Sequence, residues 1–297
     1  MAVNSSALIQ TTRPPFLILT PICIFLGFAS ILGQGYNLDI IKAVLIMVAG
    51  LSAHISVNTL NEFSDYKSGL DFNTQRTPFS GGSGALVKSP DSAQATAILG
   101  LTSLLITALI GAWFALTEGL DLILLGLPGL VIILSYTKYL NRNPWLCLIA
   151  PGFGFGPLMI MGTERVLTGH YSLSSALISL VPFFLVNNLL LLNQLPDIEP
   201  DRQIGRRHFA IVFGIAPSVR LYALQLAACF IVILWLAISG MAPWLSFIAL
   251  LPLGLAVRAF QQINPFPDTL TTITPAMGMN VGATLLTPLV LGLTLLF

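Results

Sequence analysis

Long apolar segments alternate with short polar ones along the whole chain, and nine of the apolar segments are long enough to cross a bilayer as helices. A bilayer core about 30 Å thick needs about 20 helical residues, because each residue rises about 1.5 Å and lipid offers the backbone no hydrogen-bond partner. The predicted spans cover residues 16–33, 40–60, 92–116, 120–139, 145–163, 173–195, 217–239, 243–262 and 272–296. The pattern predicts an all-α polytopic membrane protein: residues 1–297 form a single domain of about nine transmembrane helices, with a central cavity that opens to the cytoplasmic side.

Composition supports this interpretation. Only 25 of the 297 residues are Asp, Glu, Lys or Arg, which is 8%, whereas 55% are hydrophobic. Soluble chains carry about 25% charged residues, so too few charges remain here to cover a water-facing surface. The net charge of +1, without a basic cluster along a polar face, argues against a nucleic-acid partner. Cys23, Cys147 and Cys229 all fall in apolar segments, so we expect them to pack as small hydrophobic side chains without disulfides.

The basic residues predict the orientation of the bundle, because Lys and Arg near span ends favour the cytoplasm. With the N-terminus inside, eleven of these residues lie on the cytoplasmic side, and only Lys42 and Arg165 lie outside. One missed or extra span would scramble that alternation. We therefore expect an integral protein of the cytoplasmic (inner) membrane with a cytoplasmic N-terminus.

Two polar stretches on the predicted cytoplasmic side concentrate the candidate chemistry. The first acidic segment, residues 58–88, follows the second span, and the second acidic segment, residues 193–214, follows the sixth. Each has an Asn, an Asp four residues later and a further Asp behind: Asn61, Asp65 and Asp71 in the first, Asn193, Asp197 and Asp201 in the second.

The two acidic segments differ in the backbone that they predict. If the second helix continues into the first segment, His54, Asn58, Asn61 and Asp65 fall within about 60° of one another, as a polar stripe that leads to an acidic mouth. Such a stripe is costly in a membrane unless it lines a cavity or pairs internally. In the second segment, Pro196 and Pro200 prevent a regular helix.

Carboxylates that face each other at such a mouth suit Mg²⁺, a hard ion that takes oxygen ligands and usually shares its coordination sphere with substrate phosphates. The SGGSG run at residues 80–84 offers backbone N–H groups to an anion. Nearby cations could bind phosphate oxygens directly; these are Arg76, Lys138, Arg206 and Arg207. A different class, a cation-coupled membrane transporter, would also use intramembrane Asp, Asn and His residues. Carboxylates clustered with arginines at one membrane face favour a diphosphate site over a conduit.

Three loops resemble those of the UbiA-type intramembrane aromatic prenyltransferases. Asn61, Asp65, Gly69 and Asp71 are similar to the family's first motif, N-x-x-x-D-x-x-x-G-x-D, and Arg76-Thr77 falls where related members have an Arg-Thr pair. NQLPDIEPDRQIGRRHFAIVFG, residues 193–214, resembles the second motif, and residues 135–138 resemble the family's Tyr-containing loop after the fourth span. The spacing of Gly69 before Asp71 leans to the 1,4-dihydroxy-2-naphthoate, or menaquinone-type, branch of the family.

The resemblance implies an enzyme that transfers a prenyl group from a polyprenyl diphosphate to a small aromatic quinone precursor, with Mg²⁺ as cofactor and release of diphosphate. The implied catalytic metal ligands are Asp65, Asp71, Asp197 and Asp201. The implied diphosphate-binding residues are Asn61, Arg76, Tyr136, Lys138, Asn193, Arg206 and Arg207. Glu62 stands where many members have an Asp, and whether it binds metal stays open.

Overall fold

The structure is a computed structural model that describes residues 4–264 and 270–297, and these residues contain helices and no strand. Nine helices, labelled α1 to α9, form the bundle. Their bounds are α1 Pro14–Gly33, α2 Ile40–Ser68, α3 Pro90–Glu118, α4 Leu120–Ser135, α5 Pro144–Thr168, α6 Leu173–Asn193, α7 Ile215–Ile238, α8 Trp244–Ile263 and α9 Leu270–Thr294. Eight of them are long and apolar enough to cross a membrane, and α4 is apolar but shorter. The predicted all-α bundle of about nine membrane helices is confirmed.

Among the helix ends that differ from the predicted bounds, two lie beside candidate site residues. Helix α2 runs eight residues beyond the predicted 60, and it ends where Gly69 adopts a left-handed φ of 80°. Helix α4 ends at Ser135 and not at 139, because the chain turns there and the Asn141 backbone N–H donates to the Tyr136 carbonyl at 3.0 Å. The longer α2 keeps Asn61 and Asp65 on a rigid helix, and the shorter α4 frees Tyr136 for the turn.

Besides a short 3₁₀-helix at Leu140–Arg142, five short α-helices complete the described chain. They are Ser5–Thr11, Leu70–Asn73, Ala85–Lys88, Ile198–Gln203 and Phe209–Phe213. Four of them belong to or border the two acidic segments. The N-terminal helix Ser5–Thr11 packs against Ala85–Lys88 and α2, so the chain start lies at the same end of the bundle as the first acidic segment.

Helix α6 lies at the centre of the C-terminal half, where it packs against α5, α7 and α9, while α1 packs against α2, α5 and α9. The largest buried apolar cluster comes mainly from α6 to α9. Outside it, leucines such as Leu116, Leu124 and Leu251 leave most of their surface exposed. Apolar side chains that stay exposed along helices of this length suit a lipid surround, since lipid is as apolar as a protein core.

Helix α5 bends beside a cavity in the bundle. Pro151 and Pro157 remove backbone donors, and residues Gly154–Leu158 form a π-helical turn. The side-chain Oδ1 of Asn187 on α6 accepts the Gly152 N–H at 2.9 Å, so this bond closes the helix–helix contact at the bend. π-Turns and prolines displace a helix locally. Pro151, Gly154 and Phe155 therefore form part of the wall of the cavity, which has a volume of about 490 Å³.

Candidate functional site

The cavity has a polar mouth and an apolar depth. Its mouth is lined by residues of both acidic segments: Asn61, Asp65, Asp71, Asn193, Asp197, Asp201 and Arg206. Its depth is lined by apolar side chains that include Ile24, Ile46, Phe114, Leu122 and Val166. The two acidic segments, which are more than 100 residues apart in sequence, thus meet at one opening. One lies at the end of α2 and the other at the end of α6.

The first acidic segment begins on α2, whose last turns carry the predicted polar stripe. His54, Asn58, Asn61 and Asp65 all line the cavity, as their helical spacing requires. His54 lies deepest, with its Nδ1 2.9 Å from the Thr20 hydroxyl. The polar stripe is therefore a cavity wall, and the cost of placing these groups within an apolar bundle is reduced by internal pairing and cavity access.

Gly69 returns the chain to the mouth after α2 ends. Its left-handed φ of 80° is a conformation that glycine adopts at little cost, and it starts the short helix Leu70–Asn73 in a new direction. Asp71 is buried on that short helix and faces the cavity. One glycine therefore places two carboxylates, Asp65 and Asp71, at the same opening from two differently directed helices.

Glu62 lies behind this wall and is fully buried, at 0% exposed. Its Oε1 accepts the Arg13 Nε at 2.7 Å and the Ser83 backbone N–H at 2.9 Å, while its Oε2 accepts the Ser83 hydroxyl at 2.5 Å. Arg13 also donates to the Asn61 side chain at 3.1 Å. Glu62 thus joins the N-terminal region, α2 and the glycine-rich run, and its side chain does not line the cavity among the residues described.

The glycine-rich run at residues 80–84 crosses from the first acidic segment towards the second. Ser80, Gly81 and Gly82 line the cavity, and the Gly81 backbone N–H donates to Asp197. At Gly82, φ is 71°, and a Cβ would lie 3.1 Å from Asp71 Oδ1. Glycine is required there because its backbone approaches a carboxylate closely in a left-handed conformation.

The second acidic segment delivers its carboxylates from an interrupted backbone. Helix α6 ends at Asn193, and a new short helix begins at Ile198 with Asp197 as its N-cap residue and Pro200 in its first turn. The predicted interruption is confirmed beside Pro196, whereas Pro200 is accommodated in the first turn of the short helix. Asp201 is buried on this short helix, so its carboxylate and that of Asp197 reach the mouth across a bend.

Arg206 connects the two acidic segments directly. Its Nη1 donates to Asp201 Oδ1 at 2.9 Å, and its Nη2 donates to Asp65 Oδ1. His208, which as a neighbour of two arginines would be expected in a solvated loop, is instead buried, with its Nε2 3.3 Å from Asp201 Oδ2. Asp65 and Asp201 are therefore paired carboxylates, whereas Asp71 Oδ2 and Asp197 Oδ1 are buried oxygens without a hydrogen-bond partner in the described chain.

The loop after α4 forms another wall of the mouth. Tyr136 lines the cavity, with its hydroxyl 3.9 Å from the Cys147 Sγ. Asn61 Nδ2 donates to the Thr137 hydroxyl at 3.2 Å and so ties this loop to α2. The resemblance drew attention to residues 135–138, and the structure brings Tyr136 to the carboxylates.

Three of the predicted diphosphate-binding cations lie elsewhere. Arg76, Lys138 and Arg207 are exposed and are not among the residues that line the cavity. Arg76 donates to the Asp71 backbone carbonyl at 2.5 Å, so its guanidinium supports the turn that carries Asp71. The structure therefore does not bring these three side chains together with Asp65, Asp197 and Arg206, and their assignment to diphosphate stays a prediction.

Burial dominates the electrostatics of the unpaired carboxylates. It raises the pKa of Asp71 to about 7, with the Glu62 and Asp65 charges adding to the rise. Burial likewise raises the pKa of Asp197 to about 7, and the charge of Asp201 adds to it. A cation beside such a carboxyl group stabilises its ionised form and so opposes the rise in its pKa.

The oxygen donors at the mouth fit a hard divalent cation. Unpartnered buried oxygens belong to Asp71, Asp197 and Asn193, which are the carboxylate and amide oxygens that Mg²⁺ accepts. No three His, Cys, Asp or Glu side chains within residues 4–264 and 273–297 come close enough to hold a metal alone. A metal ion here would need further ligands, and Mg²⁺ usually takes one or two carboxylates and completes its coordination sphere with water and substrate phosphate.

Three side chains that support the mouth could not be identified as functional from the sequence. In the sequence, Arg13 is one basic residue before an apolar span, Ser83 lies in a small polar run, and His208 is the neighbour of two arginines. Arg13 and Ser83 act through Glu62, which lies 49 and 21 residues away in sequence, and His208 acts through the nearby Asp201. The Pro14-Pro15 pair after Arg13 was the only local hint of a defined turn there.

Comparison with known proteins places this geometry in a family. The model of the UbiA prenyltransferase family matches residues 18–273. A 1,4-dihydroxy-2-naphthoate octaprenyltransferase of Bacillus subtilis is 30% identical over 255 residues, which are 84% of this chain and 79% of that protein. A UbiA prenyltransferase domain-containing protein 1 of Xenopus tropicalis is 28% identical over 90% of this chain and 78% of that protein.

Solved structures match the same fold. The structure of a UbiA homolog from Archaeoglobus fulgidus bound to DMAPP and Mg²⁺ aligns with a TM-score of 0.67 and 15% identity, over 96% of this chain and 98% of that chain. The apo structure of a UbiA homolog from Aeropyrum pernix K1 aligns with a TM-score of 0.66 and 14% identity, over 92% and 95%. The fold of this chain is therefore similar to the folds of these two proteins.

Proposed function

The chain belongs to the UbiA prenyltransferase family, and from this premise we propose that it transfers a polyprenyl group from its diphosphate to a hydroxylated aromatic acceptor of the 1,4-dihydroxy-2-naphthoate class, with Mg²⁺. The observation that carries the proposal is the cavity, whose acidic mouth continues into an apolar depth. An amphiphilic diphosphate has the same division of polarity. Enzymatic prenyl transfer follows from the family, which displaces the alternative of a cation-coupled transporter.

The apolar depth suits the prenyl tail. Ile24, Ile46, Phe114 and Leu122 line it, and each CH₂ group that leaves water contributes about 0.8 kcal/mol. Longer prenyl diphosphates are therefore expected to bind at least as well as short ones, up to the length that the cavity or its opening to lipid admits. The tail would hold the reacting allylic carbon near the mouth, where the charged groups are.

The residues at the mouth would divide the work of diphosphate departure. Asp65, Asp71, Asp197 and Asp201 would hold Mg²⁺, with no more than two of these carboxylates on one ion, and Asn61 and Asn193 would support them with amide oxygens. When bound, Mg²⁺ would neutralise the leaving diphosphate while the allylic C–O bond breaks. Arg206, Tyr136 and the backbone N–H groups of residues 80–82 would donate to diphosphate oxygens.

The second substrate supplies the electron pair. As the C–O bond breaks, its electrons leave with the diphosphate, and an electron-rich ring carbon of the acceptor donates the pair that forms the new C–C bond. That ring carbon then releases the group it carried, as a proton or as CO2 from a carboxylate, and the electrons of the broken bond restore the aromatic ring. The Phe155 ring on α5 lines the cavity, and an aromatic face in that wall can stabilise the allylic cation. The bend of α5 would also exclude water, which competes with the acceptor for the cation.

The B. subtilis relative bears the name of a naphthoate octaprenyltransferase, which is the reason to test that acceptor first. Purified protein with Mg²⁺ and a long prenyl diphosphate would be given dihydroxynaphthoate, 4-hydroxybenzoate or homogentisate in parallel, and the products read by mass spectrometry. We expect prenylation with dihydroxynaphthoate at the highest rate. Prenylation of a non-aromatic alcohol alone would retain the enzyme class and reject the aromatic acceptor.

We also propose that the mouth faces the cytoplasm in the inner membrane, because eleven of thirteen Lys and Arg residues then lie inside. Ser68→Cys and Gln203→Cys would be introduced at exposed positions beside the two acidic segments. The three native cysteines are buried and should stay silent. An impermeant thiol reagent should label both variants only from the cytoplasmic side, and labelling from outside would reverse the orientation.

A further inference from the structure

Arg206 lies between two carboxylates. An arginine whose only role is to bind diphosphate would not need such a position. Its two terminal nitrogens pair with Asp201 from the second acidic segment and with Asp65 from the first, 141 residues away in sequence. Its side chain is only 15% exposed. The guanidinium therefore occupies the space between two carboxylates that are proposed metal ligands.

The charge balance at the mouth gives this position a consequence. Two arginines line the cavity among the described residues, Arg13 and Arg206. Arg13 pairs with the fully buried Glu62, and Arg206 pairs with Asp65 and Asp201 at the mouth. Like charges in a site of reduced dielectric repel strongly. A cation between Asp65 and Asp201 therefore stabilises the close approach of these two carboxylates.

The pairing of Arg206 is also incomplete. Its Nε is buried and has no hydrogen-bond partner in the described chain. A buried guanidinium nitrogen without an acceptor is costly, and the oxygens of a diphosphate are the kind of acceptor that it lacks. Gly205, with a φ of 80°, precedes Arg206, so the side chain extends from a turn and not from a rigid helix.

We propose that Arg206 is an exchangeable cation: it competes with Mg²⁺ for Asp65 and Asp201, and it turns to the diphosphate when metal and diphosphate bind together. This inference rests on the proposed metal-dependent prenyl transfer. It implies that Arg206 weakens the binding of Mg²⁺ alone and strengthens the binding of diphosphate in the presence of Mg²⁺. The two ligands would thereby be coupled positively, each favouring the other by the same factor.

The test measures two affinities of the full-length protein in detergent, and we expect the substitution of Arg206 to change them in opposite directions. Mg²⁺ binding would be titrated by calorimetry without other ligands, and inorganic diphosphate binding would be titrated at saturating Mg²⁺. In Arg206→Gln we expect Mg²⁺ alone to bind about fivefold tighter, since a unit charge a few Å away is removed. We expect diphosphate to bind about tenfold more weakly, since a charge-assisted donor is lost.

Arg202→Gln is the matched control, because Arg202 lies in the same segment but is exposed and pairs only with Glu199 at 2.7 Å. Both of its affinities should stay at the wild-type values. Arg206→Lys keeps the charge but reaches one carboxylate at a time, so Mg²⁺ should bind with an affinity between those of wild type and Arg206→Gln. If the Gln variant does not fold, the Lys variant carries the test.

Unchanged or weaker binding of Mg²⁺ to Arg206→Gln, or to Arg206→Lys when that variant carries the test, would overturn the proposal and leave Arg206 as a fixed diphosphate ligand. Failure of wild-type protein to bind Mg²⁺ and diphosphate at all would instead reject the proposed function. The two failures are distinguishable because the first appears only in the variants.

Discussion

The first and second acidic segments have the same order of Asn and Asp residues but build their share of the mouth differently. In the first, Asp65 lies on the continuous helix α2 and Asp71 follows a glycine turn. In the second, α6 stops at Asn193, and a separate short helix carries Asp201. Each segment nevertheless contributes one carboxylate paired with Arg206 and one with an unpartnered oxygen. The same order of residues in sequence does not require the same backbone, because the site depends on where the carboxylate oxygens lie.

The segments also differ in how they are supported. The first depends on Glu62, which is held by Arg13 and Ser83 and in turn holds the glycine-rich run. The second depends on Arg206 and His208, which surround Asp201. The first segment is therefore braced through Glu62 and Ser83, which are not among the cavity-lining residues, whereas the second is braced by Arg206 and His208, which both line the cavity.

The largest expected effect tests whether the unpartnered carboxylates are equivalent. Asp71→Asn and Asp197→Asn should each lower kcat by about 10² or more, since each removes a charge that little else at the mouth replaces. Diphosphate release by folded, purified variants is the measurement. Asp91→Asn, which alters an exposed carboxylate outside the cavity, is the control. Near-normal turnover of either variant would show that the two segments do not contribute equally.

A second test concerns the brace behind the first segment. Glu62→Gln should destabilise the protein markedly, because it leaves the Arg13 charge without its buried partner. The Arg13→Met and Glu62→Gln double variant should be more stable than the sum of the single changes predicts. Thermal unfolding in detergent measures all three. Additive losses would mean that the Arg13–Glu62 pair does not act as a unit.

The pH dependence compares the two unpartnered carboxylates in one experiment. Each has a pKa of about 7 in the folded protein against about 4 in an unfolded chain. The folded state therefore binds more protons between these values, so stability falls as pH rises from about 4 through 7. In EDTA, the Tm should be lower at pH 8 than at pH 6, and excess Mg²⁺ should reduce the difference. Asp71→Asn and Asp197→Asn should each flatten the slope, and a flat wild-type profile would contradict the assignment.

The smallest effect is expected at the exposed cations. Lys138→Ala should weaken prenyl diphosphate binding by about threefold or less, because Lys138 is exposed outside the cavity lining and solvent and salt screen its charge. The KM for prenyl diphosphate at 150 mM and at 20 mM salt is the measurement. A loss as large as that of Arg206→Gln would mean that the loop after α4 closes over the diphosphate during turnover.

Much of the site could be anticipated from particular residues. The stripe from His54 to Asp65 was predictable because helical period is a local property, and the bend near Pro196 was predictable because proline cannot continue a helix. Arg76, Lys138 and Arg207 could not be separated from Arg206 in this way. All four are cations near the acidic segments, and only their side-chain positions distinguish the buried one from the exposed three.

The order of apolar and polar residues was enough to predict the membrane bundle, the number of helices and the end of the bundle where the polar residues gather. These follow from runs of apolar residues and from spacings of a few residues, which act through the local backbone and the solvent. Only the tertiary structure decided which charges pair. Glu62 meets Arg13 from 49 residues away, and Asp65 meets Arg206 from 141 residues away. Such pairings depend on how α2 and α6 pack, and no local spacing encodes that distance.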